Sequence, residues 1–376
     1  MKINRKVVKI ICFALALVLF ATLCACSENK IPNEKNPDDN SNRESDSFTL
    51  LIYMCGSSLE SKNGAGSEDI SELLGADIRE NVNIVIQTGG ARRWKQYGIS
   101  YDKIERYTVT DGELKLLDRQ KLSPMSDEAT LREFVNWGTE QFPTERTALI
   151  LWDHGGGFLE GICMDELFRN DWLTMGEFDL ALEKSSFKGK FEFIGFDCCL
   201  MANYETALIV SKYTDKMIAS ECDEPVGGWD YKAVAESVGK NDFYDVVLSS
   251  FEALHSGERA YTLSTIDLTK LDAVSNLLGT CIEKAKRSDN DLDFSGAIEH
   301  CNALEIGTYL YDLGDLTKYF GVECNLDGVI TTVLSKQTDK SGMSVCCPLN
   351  DKNALEKYLK LTDSNFGDYL ATQKDK

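Results

Sequence analysis

Two nearly continuous apolar runs, TALILW at 147–152 and FEFIGF at 191–196, each stop on reactive side chains. The first ends on Asp153-His154 followed by Gly155, Gly156 and Gly157, the second on Asp197-Cys198-Cys199. Runs this apolar suit strands covered on both faces, as in a mostly parallel sheet with helices on either side. In such a sheet ligands collect beyond the carboxyl ends of the strands, where these two ends place an imidazole and a thiol. His154 and Cys199 are therefore the first candidates for chemistry. Only three histidines occur, at 154, 255 and 300, so one at a strand exit beside flexible glycines is a specific event. Glycine lets the backbone approach a ligand closely, and 155–157 suit a loop whose amides face a substrate. On the residues alone a structural reading stays open, because buried histidines and cysteines commonly serve packing.

The surrounding pattern supports the sheet. Residues 48–54 read as an opening strand, 67–79 as a helix, 83–87 as a second strand, and 99–117 as a hairpin turning at Asp111-Gly112. A helix is expected over 126–142, another over 200–213 directly after Cys199, and a short strand over 216–220. Beyond that, 243–255 and 268–285 read as helices flanking a strand at 260–266, with helical pieces in 297–318, a late strand at 342–347 and a helix at 354–361. The segment from Gly227 to Tyr231 reads as a loop whose aromatic pair lines a pocket. Alternating strand and helix predicts an α/β architecture.

The first 26 residues bear on compartment. Lys2, Arg5, Lys6 and Lys9 make a positive start to the chain, and 7–23 is, Lys9 apart, a nearly uninterrupted apolar stretch, the pattern of an export signal. Leu23-Cys24-Ala25-Cys26 resembles a bacterial lipoprotein box, which makes Cys26 the expected lipidated N-terminus of the mature chain, with 1–25 removed. An uncleaved membrane anchor is the alternative; either reading puts the bulk of the chain on the extracytoplasmic face of the membrane. Residues 26–47 are polar and carry two prolines, the composition of a tether. The folded part is expected over 48–376, with about 268–376 as a candidate subdomain.

Formal charge is −21, and −25 once the signal is removed. Such a surface argues against nucleic acid as a partner. Thirteen cysteines are present; ten lie beyond the signal and anchor without regular spacing, so mostly reduced, buried thiols are expected.

YMCGSSLES, LWDHGGG, FIGFDCCLMA and ASECDEPVGGWDY together resemble the clostripain-like cysteine peptidases, over nearly all of 48–369. The resemblance implies a caspase-like three-layer α/β sandwich and an endopeptidase acting on proteins or peptides. It makes His154 the catalytic histidine and Cys199 the nucleophile, with Cys198 where the family usually has alanine. The backbone amides of Gly155 and Cys199 are the expected oxyanion hole, and a helix starting after Cys199 is expected to lower its thiol pKa.

The family cleaves after Arg or Lys, and Asp197 matches one acid of its specificity pocket, with Trp229 and Asp230 as further substrate-binding candidates. Gly227 stands where the second family acid aligns, so Asp223, Glu224 or Asp230 is left to compensate. By resemblance, too, the chain is a monomer processed into two associated chains, with Arg169, Lys184, Lys188 and Lys190 offering basic cleavage sites. No cofactor is required by Cys-His chemistry and no metal motif is evident; calcium activation is implied by the family alone. Two other readings remain at this stage: a catalytically silent binding module on a peptidase fold, and a thiol acyltransferase.

Overall fold

The computed structural model describes residues 46–258, 260–287, 292–305, 307–334 and 339–374. The expected export signal, the lipidation site Cys26 and nearly all of the tether lie outside the described residues. Among the described residues no helix is long and apolar enough to cross a membrane.

In chain order the strands are β1 (Phe48–Cys55), β2 (Val82–Gly89), β3 (Lys103–Thr110), β4 (Glu113–Lys121), β5 (Arg146–Trp152), β6 (Ile162–Asp165), β7 (Asp171–Leu173), β8 (Ile194–Asp197), β9 (Lys216–Ala219), β10 (Thr262–Asp267), β11 (Leu310–Asp312), β12 (Ile330–Leu334) and β13 (Ser344–Cys346). Nine of them form one sheet in the order β12-β10-β9-β8-β5-β1-β2-β3-β4. The middle, from β9 to β2, is parallel. Both flanks are antiparallel, a feature that apolar runs alone do not announce.

Period-two alternation divides the strands between two layers. On β1, Leu51, Tyr53 and Cys55 pack with the helices Glu128–Gln141, Met175–Glu183, Tyr204–Val210 and Asp272–Arg287, while Leu50, Ile52 and Met54 pack with Ala65–Leu74, Tyr231–Ser237 and Phe243–Leu254. Every residue of β1 is buried, and each fully buried Leu or Ile contributes about 1.5–3 kcal/mol relative to exposure. The sandwich expected from the sequence is present.

Local chemistry sets the boundaries. Asp111 and Gly112 both have positive φ, 55° and 71°, as a two-residue turn joining β3 to β4 requires. The helix expected over 200–213 is shorter, Tyr204–Val210, because Leu200 is left-handed (φ 66°) and Asn203 caps the helix by accepting the Thr206 N–H at 2.8 Å. The segment before Tyr231 is a loop as expected, but Trp229 and Tyr231 are fully buried, so the aromatic pair plugs the layer beneath β8 instead of lining a pocket. The Trp229 ring lies against Gly195, where a Cβ would come within 2.7 Å of it.

Candidate active site

Parallel strands β5 and β8 run side by side with Trp152 opposite Asp197, and the Asp153 N–H donates to the Asp197 carbonyl at 3.3 Å. Register alone thus delivers the Asp153-His154 and Cys198-Cys199 segments to the same edge. A cleft of about 660 Å³ opens there, and His154, Gly155, Cys199, Asp197 and Glu224 are among its lining residues.

Contact between the two loops depends on glycine. A Cβ at position 155 would lie 2.0 Å from the Cys199 carbonyl oxygen and 3.0 Å from the Cys198 Cβ. Gly155 therefore packs directly on the Cys199 backbone, a placement no other residue can take without moving one loop. The two adjacent cysteines point to different environments. Cys198 is buried and its Sγ donates to the Leu151 carbonyl at 3.3 Å. Cys199 is half-buried and faces the cleft.

Neither His154 nor Cys199 bonds to the other. The Nε2 of His154 lies 3.0 Å from the Ser58 Oγ, and burial, followed by the charge of Lys62, holds the imidazole below its usual range. The sulfur of Cys199 accepts the Glu224 backbone N–H at 3.2 Å. Burial first, and then the Glu224 carboxylate, pushes the thiol up to about 12. The expected lowering by a following helix is therefore overturned: that helix begins at Tyr204, and the buried acids around the sulfur disfavour a thiolate.

Ser57 and Ser58, in the turn after β1, carry no role in the sequence reading. Ser58 meets His154, and the Ser57 hydroxyl donates to the Asp153 Oδ1. Asp153 is thus tied to the segment that follows β1. The available signal is topological, since β1 neighbours β5 and its last residues must lie beside theirs.

An acidic cluster underlies the cleft. Asp197 is buried at the end of β8, and a Cβ on Gly228 would fall 2.9 Å from its Oδ1. Glu224 is partly exposed as a residue, but both of its carboxylate oxygens are buried; they, the Asp197 Oδ2, the Trp229 indole N–H and the Tyr231 hydroxyl complete no hydrogen bond. Glu224 lies close enough to Asp197 and Trp229, and Asp197 to Tyr231, for these groups to act on one another. Asp69 accepts the Trp152 indole N–H at 2.7 Å on the same side. Among the described residues no ion pair includes Asp69, Asp197 or Glu224.

Of the three acids left to compensate for Gly227, Asp223 and Glu224 line the cleft, and Glu224 alone has its carboxylate oxygens buried and without a hydrogen-bond partner. Asp223 is exposed, and Asp230 caps the helix Tyr231–Ser237 by accepting the Ala233 N–H at 2.9 Å. Trp229, proposed with Asp230 for substrate binding, has no exposed surface. Among the described residues no group of three or more His, Cys, Asp or Glu side chains is arranged to hold a metal ion. The ten cysteines of this part are unpaired, seven of them buried.

Comparison with known proteins follows from this geometry. A model of the clostripain family matches residues 52–366. Clostripain from Hathewaya histolytica is 24% identical over 210 residues, covering 48% of this chain. The match spans only 39% of that relative's length. Among solved structures, an inactive zymogen C11 protease from Parabacteroides distasonis superposes with a TM-score of 0.65 at 18% identity, over 86% of this chain and 97% of that one. A secreted C11 cysteine protease from Bacteroides thetaiotaomicron gives 0.66 at 17% identity, over 86% and 99%. At such identities these two structures speak for the fold.

Proposed function

This chain belongs to the clostripain family of cysteine peptidases, and from that premise we propose that it is an endopeptidase that hydrolyses peptide bonds after Arg or Lys, using Cys199 and His154. The observation that carries the reading is the convergence of both side chains, through the register of β5 and β8, on one cleft whose floor holds two unpaired acids.

In this reading the Cys199 sulfur attacks the scissile carbonyl while its proton passes to His154, which then protonates the leaving amine; water hydrolyses the acyl-enzyme. The amides of Gly155 and Cys199 are the candidate donors to the oxyanion. A basic P1 side chain entering the cleft meets Asp197 and Glu224, with Glu224 taking the part left vacant by Gly227. A high thiol pKa and the separate partners of His154 and Cys199 suit a latent form, and the likeness to a protein solved as an inactive zymogen agrees with it. Cleavage between the His and Cys motifs would then activate the chain. Arg169 is exposed at the turn between β6 and β7, one strand away from the cleft residue Trp172. Attachment through a lipid on Cys26, on the extracytoplasmic face, completes the reading and rests on the sequence of the first 26 residues.

The test is a peptide library varied at P1, incubated with protein beginning near Ser47 and with its Cys199→Ala counterpart, before and after limited proteolysis. Cuts after Arg and Lys that depend on Cys199 are expected; cuts dominated by neutral P1 residues would remove the specificity claim, and no Cys199-dependent cut at all would remove the enzyme. Intact-mass analysis of membrane-extracted protein checks the lipid.

A further inference from the structure

We propose that Asp197 and Glu224 form a proton-linked cation site: the empty pair holds a proton that a docking guanidinium or ammonium expels, so affinity for basic substrates rises with pH. This rests on the reading of a basic P1 side chain and adds to it a mechanism of selection.

Both carboxyls are buried, three of their four oxygens complete no hydrogen bond, and no lysine or arginine pairs with either among the described residues. Two carboxylates side by side in a desolvated site cannot both hold a charge without a counter-cation. Burial raises both groups, and for Glu224 the neighbouring Asp197 is the next cause.

Among the described residues no lysine or arginine pairs with the two acids, and His255 is the basic side chain that favours charge on Asp197, after burial and three polar neighbours. On the helix Ala65–Leu74, Asp69 adds a further acid, itself raised by burial and by Asp197. Tyr231 presents a neutral hydroxyl that burial keeps protonated. His255, behind Gly228, donates its Nε2–H to the Gly228 carbonyl at 2.8 Å, and Asp223 on the loop is acidic. A fixed cation entering from the cleft is what allows both carboxyls to ionise, and the displaced proton leaves to solvent. Tyr231 and Trp229, whose polar hydrogens are also unspent, are placed to bond the carboxylates once they carry charge.

Linkage gives the consequence. Where the empty pair holds one proton and the occupied pair none, the Kd of a cationic ligand falls about tenfold per pH unit, and levels off once the empty pair has lost its proton. A neutral P1 side chain expels nothing, so its affinity is flat over the same range. At low pH the site therefore discriminates less between arginine and an uncharged analogue of the same shape.

The experiment is calorimetric titration of the Cys199→Ala protein, after limited proteolysis between the His and Cys motifs, with a blocked peptide ending in arginine amide, and with its citrulline counterpart, in phosphate and in Tris at pH 7.5. The difference in heat between buffers counts protons. Close to one proton released per arginine peptide and none per citrulline peptide is expected. With Glu224→Gln added, the count should fall by at least half and the pH dependence should move to lower pH. Preferential binding of the arginine peptide without proton release overturns the proposal, as does release that is unchanged by Glu224→Gln. If arginine binds no better than citrulline, the basic-P1 reading fails and takes the proposal with it. A measurement that needs no ligand stands beside these: the infrared difference between the Cys199→Ala protein and its Glu224→Gln derivative at pH 7.5 should contain a protonated-carboxyl C=O band, and a carboxylate signature alone overturns the proposal.

Discussion

The backbone N–H of Glu224 donates to the sulfur of Cys199 at 3.2 Å, while the buried carboxylate of the same residue disfavours charge on that sulfur. Burial, the larger cause, and this carboxylate together keep the Cys199 sulfur a thiol. On the other side of the cleft His154, neutral at pH 7 because burial lowers its pKa, lies 3.0 Å from Ser58. The ground state is a thiol and an imidazole rather than a thiolate and an imidazolium.

Alkylation measures that directly. With a pKa of about 12, the thiolate fraction of Cys199 at pH 7.5 is on the order of one in ten thousand or less, against about a tenth for an unperturbed cysteine. Iodoacetamide should label Cys199 at least about a hundredfold more slowly than a free thiol, with a rate climbing about tenfold per pH unit through pH 9, followed by peptide mapping. A rate plateau near neutral pH that vanishes in His154→Ala would instead reveal an ion pair and sink this description.

Adjacent cysteines should separate cleanly. Cys199→Ala is expected to remove hydrolysis of a basic-P1 peptide. Cys198→Ala deletes one buried sulfur and its bond to the Leu151 carbonyl, a change that costs about 1–2 kcal/mol of stability while leaving kcat within a few fold. Initial rates and thermal midpoints of both variants decide the matter, and the opposite pattern would transfer the nucleophile to Cys198.

Gly155→Ala tests the packing of the two loops. The added Cβ would sit 2.0 Å from the Cys199 carbonyl oxygen, so one of the two strand-end loops must shift. Displacement on the ångström scale at a reacting centre costs about a hundredfold in rate. A loss of kcat of that size is expected, with the thermal midpoint lowered by only a few degrees, since the sheet beneath is untouched. Activity close to that of the parent protein would show that the loops adjust freely and that Gly155 has no positioning role.

The sheet was legible because its central strands are apolar on both faces, and the meeting of His154 and Cys199 at one cleft was legible because two of those strands lead directly into them. Other parts were hidden for physical reasons. Leu200 is apolar and follows a strand, which reads as a helix start; only its left-handed backbone, with Cys222 O accepting its N–H at 3.1 Å, holds Cys199 on a turn. The Gly227–Tyr231 stretch has the composition of a loop, yet Trp229 and Tyr231 fill space beneath β8 that a long-range packing demand, invisible locally, reserves for them. Glu224 stood as one of three equivalent acids until burial distinguished it. Ser57 and Ser58 became relevant through strand order alone.

A last prediction concerns the fold rather than the cleft. Glu205 is buried in the helix Tyr204–Val210, where its carboxyl accepts the Cys346 N–H and the Tyr358 hydroxyl, both at 3.0 Å, tying that helix to the end of β13 and to the helix Lys352–Leu361. Burial raises its pKa from 4.5 to about 7, with the two hydrogen bonds pulling the other way. A folded value above the unfolded one means that the fold binds this proton more tightly. Its contribution to stability is therefore full below pH 4.5, declines as pH rises from there to about 7, and is constant beyond. Integrated over that window the loss is on the order of 3 kcal/mol. Glutamine can accept from Cys346 and donate to the Tyr358 oxygen without titrating, so Glu205→Gln should remove this part of the pH dependence and be the more stable protein, relative to its own value at pH 4.5, when both are unfolded by urea at pH 8. Parallel curves of stability against pH for the two proteins would show that Glu205 is ionised in the fold throughout, and that its two bonds outweigh the cost of burying the charge.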